Sequence, residues 1–300
     1  MGLFSRSAPV TVTVEPQTTR PQQVVRVDVE STKPVDKVRS ARVELGYRNF
    51  FLYRWAGAAD SDAAMATEGL SMMGEVGTNY GSHKNTSEWV SVMSTDIAIA
   101  DGRFHNATTD FRIPSWAPGS SSDLVAWACR VVIERDGRDI EADGEFTVLV
   151  GPTDPKGEAP EFERLMGDSS TIEIDTESRV VRCGDRVRGI LSITAGRELP
   201  RADIAVQLQR VRQSHPLTKT AGPPMERDLP ISKLAPKAEL RPGQTLRLPF
   251  DLELPADTAP TATAVHSTID WYVHARILYA GFTSATPEKV RRRIIVVNAP

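Results

Sequence analysis

The sequence predicts an all-β protein made of two tandem antiparallel β-sandwich domains that are related by an internal repeat. Two observations predict this fold class. Apolar and polar residues alternate along several segments, and the motifs of the first half of the chain recur in the same order in the second half. A chain of 300 residues is long enough for two domains of about 150 residues each.

The first strands are predicted by an alternation of apolar and polar residues. The segments VTVTV at 10–14, VVRVDVE at 24–30 and ARVELGY at 41–47 carry apolar residues at every second position. This pattern is typical of strands with one buried face in an antiparallel sheet. No segment of helical length shows a comparable helical periodicity, and the best helical candidate is the short PEFERLMG at 160–167.

The internal repeat consists of prolines and a tryptophan that recur in the same order in both halves. FRIPSWAP at 111–118 and FDLELPADTAP at 250–260 each begin with Phe, and each contains two prolines. A stretch rich in Ser or Thr follows in both halves, and then a strand centred on Trp127 or Trp271. We expect both tryptophans to lie in a core, with the two halves superposing strand for strand.

A proline also interrupts an otherwise good strand. In LRLPFDLE at 246–253, Pro249 alternates with inward apolar residues, so its ring is expected to point outward. Proline lacks the backbone donor that a central strand needs. The sequence therefore predicts an edge strand here.

Composition shifts predict the domain boundaries. The chain is expected to divide into an N-terminal sandwich at 1–152, a linker at 153–168 rich in Pro, Gly and charge, and a C-terminal sandwich at 169–300. Each half also contains one long segment without alternation, at about 56–85 in the first and about 213–239 in the second. Such long irregular segments are typical of functional or disordered loops.

These motifs resemble one known superfamily. PGQTLRLPFDLELP followed by STIDWYVHARI in the second half, with FRIPSWAP and AWACRVVI in the first, resembles the arrestin-like superfamily of tandem sandwiches of immunoglobulin-like type. Among its branches, the chain looks most like the bacterial sporulation-control proteins of the SpoOM type. The resemblance implies a non-enzymatic adaptor or scaffold, in sporulation or stress-related control, that binds proteins through sheet edges and loops. It does not carry over the phosphate-sensing lysines of receptor arrestins, because PVTVTVEPQTTR contains no lysine.

The chemistry-bearing residues form no recognisable catalytic pattern. We find no phosphate-binding glycine motif and no nucleophile elbow, so we expect neither an enzyme nor a bound cofactor. His266, Asp270 and His274 share one face of the Trp271 strand, but residues four apart on a strand are about 13 Å apart, too far to share a metal. We therefore expect a solvated or polar-paired face.

The net charge and the cysteines indicate which classes of partner and which cellular compartment to expect. A net charge of −3 gives no field that would attract nucleic acid. The two cysteines, Cys129 and Cys183, lie in different halves, and Cys129 alternates with core residues. The first residues lack the apolar core of a signal peptide and no run is long enough to cross a bilayer, so we expect a cytoplasmic protein with reduced thiols. Peripheral membrane contact and oligomeric state stay open at this point.

Five residues are predicted to contact a protein partner. The first strand contains no proline and is expected to lie at a sheet edge, where Thr11 and Thr13 would face an added strand. In the insertion at 56–85, Leu70, Met72 and Met73 would supply adaptable apolar contacts.

One alternative belongs to another class of function. A small molecule or carbohydrate would bind in a groove between the two domains. Trp55, Trp89 and Trp116 are the tryptophans outside the predicted cores, and they would be available to such a ligand.

Overall fold

The computed structural model describes residues 10–55, 82–154, 159–281 and 286–299. These residues are all-β, and no helix occurs among them. The predicted helical candidate at 160–167 is wrong, because this segment contains a strand. The strands of the first half are β1 (Val10–Glu15), β2 (Thr18–Thr19), β3 (Val24–Asp36), β4 (Val38–Trp55), β5 (Ser82–Asp96), β6 (Arg103–Arg112), β7 (Val125–Arg135) and β8 (Ile140–Val148). Those of the second half are β9 (Phe162–Met166), β10 (Ser170–Thr176), β11 (Val180–Arg182), β12 (Arg186–Ala195), β13 (Ala202–Ser214), β14 (Met225–Asp228), β15 (Ser232–Ala238), β16 (Thr245–Glu253), β17 (Ala262–Thr263), β18 (Ser267–Tyr279) and β19 (Glu288–Val297).

The strands form two sheets in each half. In the first half they are a three-stranded sheet of order β1-β3-β6 and a five-stranded sheet of order β2-β8-β7-β4-β5. In the second half the orders are β10-β12-β16 and β11-β19-β18-β13-β14, and the larger sheet also carries β9, β15 and β17. All neighbours are antiparallel except β2 with β8 and β11 with β19, which are parallel. The strand orders of the two halves therefore correspond one to one along these paths.

The predicted alternation accounts for the core. Every second residue of β1, β10 and β12 is buried, as are Val25, Val27 and Val29 of β3. Trp127 and Trp271 are only 0% and 1% exposed. Each indole N–H donates to a carbonyl of the proline-containing segment before its strand, at 2.9 Å to Pro118 and 2.9 Å to Ala259. The prediction that both tryptophans lie in the core is confirmed.

Pro249 lies on β16, which forms one edge of its three-stranded sheet. Its side chain is exposed, while Phe250 and Leu252 of the same strand are buried. An edge position tolerates the missing backbone donor. The prediction of an edge strand is confirmed.

Two segments predicted to be irregular contain strands. Residues 82–85 of the first belong to β5, where they pair with residues 52–55 of β4. The second, about 213–239, contains β14 and β15, which pair with β13. These strands were missed because they are edge strands with both faces largely exposed, so they carry no apolar alternation. The segment predicted as a linker likewise includes β9, which pairs with β19.

Backbone pairing joins the two halves. The β4 strand extends beyond its sheet partner β7 and meets residues 220–222, where Arg54 N donates to Thr220 O at 2.9 Å and Gly222 N to Leu52 O at 3.2 Å. Leu52 N donates to Ser214 Oγ at 2.9 Å. The two halves thus share hydrogen bonds of the kind found within a sheet.

A buried asparagine lies at the centre of this junction. Asn49 is 0% exposed. Its Nδ2 donates to Leu124 O at 3.0 Å and to Ser267 Oγ at 2.8 Å, and its Oδ1 accepts from His266 N at 2.6 Å. One side chain therefore satisfies polar groups from both halves.

Candidate protein-interaction surface at the strand edges

Thr11 and Thr13 lie on β1, an edge strand, and their side chains are exposed. Leu70, Met72 and Met73 lie outside the described residues. The structure therefore places two of the five predicted contact residues, Thr11 and Thr13, at a sheet edge.

The outer edge of β1 is bounded by β8. A Cβ atom at Gly144 of β8 would lie only 2.7 Å from the carbonyl oxygen of Val12, so this carbonyl points away from β3 and towards β8. The next outward carbonyl, of Val14, accepts from Gln17 Nε2 at 2.8 Å. In an antiparallel ladder, residues whose backbone groups face the paired strand alternate with residues whose backbone groups face outward. The amides of Thr11 and Thr13 therefore face β3, and the backbone groups of Val12 and Val14 face outward.

The corresponding edge in the second half borders a groove instead of a strand. Glu177 N donates to Arg188 O of β12, so the odd-numbered residues of β10 face β12, and the backbone groups of Ile172 and Ile174 face outward. The outward carbonyl of Ile174 accepts from Arg292 Nη1 at 2.6 Å. The groove along this edge has a volume of about 930 Å³. Its lining residues come from five strands and include Phe162, Arg164, Thr171, Ile172, Glu173, Ile174, Asp175, Ser192, Arg247 and Arg292.

The difference between the two edges comes from one pair of equivalent positions. Gly144 lies opposite the residue two places after Trp127, and Arg292 lies opposite the residue two places after Trp271. Glycine lets β1 approach β8 closely, because any Cβ would meet its backbone. Arginine fills the same position with a long side chain that spans the distance to β10. We refer to this space between β9 and β10 as the β10 groove.

The turn between β9 and β10 holds the groove in shape. Glu288 is 0% exposed and accepts from Arg164 Nη1 at 2.9 Å and from Ser170 Oγ at 2.9 Å. It also accepts from the hydroxyl of Tyr279. Arg164 donates further to Gly167 O at 2.9 Å and Ser170 O at 3.0 Å. A buried carboxylate with this many donors fixes the angle between the two strands.

Arg292 is a half-buried cation without an acidic partner. Among the described residues, no carboxylate lies within ion-pair distance of its guanidinium, and its recorded hydrogen bond is to the neutral carbonyl of Ile174. Glu173 and Asp175 lie on the exposed face of β10, beside the small or apolar side chains of Ser192 and Ile190. The groove therefore presents a cation on its inner side and two carboxylates on its outer side.

The face of β18 that carries Asp270 and His274 is not solvated, and Asp270 is polar-paired while His274 is not. Asp270 accepts from Arg293 Nε at 2.9 Å, and burial raises the pKa of this carboxyl although Arg293 opposes the shift. His274 is only 3% exposed, and neither ring nitrogen has a hydrogen-bond partner among the described residues. His266 is also buried, with its Nε2 3.3 Å from Glu88. The expectation of a solvated or polar-paired face thus agrees with the pairing of Asp270 and His266, and it is wrong for His274.

His274 is expected to make stability depend on pH. Burial, together with the nearby Arg276, lowers its pKa to about 4. Between pH 6.5 and this value the unfolded chain binds a proton that the folded protein does not, so stability falls as pH falls. The loss should approach about 3 kcal/mol across the whole interval. Urea unfolding at several pH values measures it.

The matched variant is His274→Gln, which removes the titrating group and keeps a polar side chain of similar size. Its free energy of unfolding should vary less between pH 7 and pH 4.5 than that of the unmodified protein. Parallel pH profiles for the two proteins would show that His274 does not cause the dependence.

The thiols of both cysteines have a raised pKa. Burial raises the pKa of Cys129 to about 12 and that of Cys183 to about 11, and the Cys183 thiol donates to Thr258 O at 3.3 Å. Thiols with a raised pKa are poor nucleophiles at neutral pH. Across the described ranges, no group of three His, Cys, Asp or Glu side chains is arranged to hold a metal ion. Within the same ranges, the structure contains no helix that could span a membrane.

The tryptophans outside the cores are dispersed. Trp89 donates its indole N–H to Glu44 Oε2 at 2.9 Å and lies under the guanidinium of Arg130. Lys84 lies over the exposed ring of Trp55, 3.7 Å from its centroid, and Trp116 is exposed at another pocket. Each of these three rings therefore has a different set of neighbours.

Searches against protein-family models and against curated proteins found no match for this chain.

Proposed function

We propose that this protein is a non-enzymatic adaptor made of two tandem β-sandwiches of arrestin-like type, which binds partner proteins through a free strand edge and through loops. The corresponding strand orders of the two halves support the tandem arrangement, as do the parallel β2–β8 and β11–β19 pairs. The two tryptophans with equivalent indole bonds support it further.

The observation that carries the proposal is the edge of β10. This strand pairs with β12 on one side, and its other side borders the β10 groove. An edge with outward backbone groups binds an extended segment of another protein by adding a strand. The edge of β1 is a weaker site because Gly144 of β8 closely approaches it.

Site-specific photo-crosslinking tests the proposal. A photoreactive phenylalanine analogue replaces Thr171, which is exposed beside the groove, in the full-length protein expressed in its own cells. The matched control carries the analogue at Asn106, exposed on β6 at the edge of the other three-stranded sheet. We expect a discrete protein adduct at Thr171 that is weak or absent at Asn106.

The insertion is tested in the same assay. Charged replacements Met72→Glu and Met73→Glu should reduce the yield of the adduct if the insertion contributes to binding. Thr11→Pro is not a suitable test of the β1 edge, because it would remove an amide that faces β3. Recovery of no protein adduct from either crosslinking position, together with a small molecule that co-purifies with the protein, would contradict the adaptor proposal and favour a ligand-binding module.

A further inference from the structure

We infer that the β10 groove binds an extended peptide segment that carries one carboxylate on its inward side and basic residues on its outward side. This inference rests on the proposed function, since it specifies the chemistry of the partner segment at the same edge. Three features of the groove carry it: the outward backbone groups of β10, the half-buried Arg292, and the exposed acids of β10.

The backbone of β10 favours an extended occupant. Ile172 and Ile174 direct their amides and carbonyls into the groove, and β9 on the opposite side pairs only with β19. β10 has seven residues, which corresponds to a strand of about 23 Å. An added strand of similar length would satisfy these backbone groups and would place its side chains alternately inward and outward.

The inward side chains of that strand would meet Arg292. Its guanidinium now donates to the neutral carbonyl of Ile174, and that carbonyl is also one of the groups that an added strand would use. A carboxylate from the occupant would give the cation a stronger acceptor and would release the carbonyl for strand pairing. The inward position opposite Ile174 therefore selects Glu or Asp.

The outward side chains would meet Glu173 and Asp175. Both are exposed, and neither forms an ion pair within the described residues. Side chains directly opposite each other on neighbouring strands stabilise the sheet when their charges differ and destabilise it when they are alike. The outward positions therefore select Lys or Arg and discriminate against acids.

A designed heptapeptide provides the probe. The peptide KVKEKVK, acetylated at one end, amidated at the other and labelled with fluorescein, places one Glu and two Val on one side and four Lys on the other. Fluorescence anisotropy measures its Kd for the full-length protein. The peptide KVKQKVK lacks only the carboxylate, EVEEEVE reverses the outward charges, and KKVVEKK has the same composition with Lys and Val divided equally between the two sides.

We expect KVKEKVK to bind most tightly, with KVKQKVK weaker by about threefold to tenfold, as for the loss of one partly exposed charged contact. In Arg292→Gln this difference between the Glu and Gln peptides should disappear. In the double variant Glu173→Lys and Asp175→Lys, EVEEEVE should bind more tightly than KVKEKVK. Arg247→Gln is the matched control, since Arg247 is exposed on β16 in the same groove but two strands away from the edge.

Two results would overturn the inference. One is equal affinity of the unmodified protein for KVKEKVK and the scrambled KKVVEKK, since that would reflect charge alone. The other is retention of the preference for Glu over Gln in an Arg292→Gln protein with unchanged circular dichroism. If a protein partner crosslinks at another surface and the peptides show no selectivity, the adaptor proposal stands and this inference fails. If the peptides bind selectively but no protein partner is found in cells, the groove chemistry is supported and the adaptor proposal fails.

Discussion

Replacing Trp271 with alanine is expected to lower the free energy of unfolding by about 3–5 kcal/mol. The side chain is 1% exposed in the core of the second half, so truncation removes a large apolar contact and leaves a cavity. It also removes the indole N–H that donates to Ala259 O at 2.9 Å, which leaves a buried carbonyl without this donor. Urea unfolding monitored by circular dichroism measures the change.

The matched control is Trp116→Ala, because this tryptophan is 50% exposed. Its loss should cost less than about 1 kcal/mol. A Trp271→Ala protein that unfolds at the same urea concentration as the control would contradict the assignment of Trp271 to the core.

Replacing Asn49 with alanine is expected to destabilise the protein by about 3 kcal/mol. The substitution leaves the backbone amide of His266 without its acceptor, and it removes one of the hydrogen bonds of the Ser267 hydroxyl and of the Leu124 carbonyl. These last two groups keep their hydrogen bonds to the backbone of Phe50. Because these groups belong to both halves, their loss should also weaken the coupling between the halves. Calorimetry should then show the unfolding transition of the unmodified protein broadening or separating into two.

Asn106→Ala on β6 serves as the control, since this asparagine is exposed and its replacement should change stability by less than about 0.5 kcal/mol. A change in the free energy of unfolding of Asn49→Ala similar to that of the control would show that Asn49 does not stabilise the junction between the two halves.

The sequence was sufficient to predict the strands that have one buried face. In β1, β3 and β16 the apolar positions alternate, because only one side of each strand meets the core. The strands β9, β14 and β15 lack this signal, because they lie at the outside of a large sheet: β9 and β14 expose most of both faces, and β15 has no fully buried residue. Their formation depends on the backbone groups of β13 and β19, which local sequence does not reveal.

The candidate site could be predicted only in part. The idea of binding at a sheet edge followed from the proline pattern, but β1 was favoured over β10. Alignment of the two halves on Trp127 and Trp271 places Gly144 opposite Glu288, because the connection after the Trp strand is longer in the second half. The pair of Gly144 and Arg292 that distinguishes the two edges follows only from the strand register. Asn49 offered no local signal, because its partners Leu124 and Ser267 lie 75 and 218 residues away along the chain.

The glycine at position 144 also limits how the two halves can change under mutation. Every replacement there adds a Cβ where the backbone of Val12 already lies, so the first half resists any point mutation that would open its edge. Position 292 has no such restriction, since an arginine side chain already occupies the space beyond its Cβ. The first half is therefore constrained at this position to keep its edge closed. The second half is free to vary its side chain there, and with it, under the proposed function, the chemistry of the segments that it would bind.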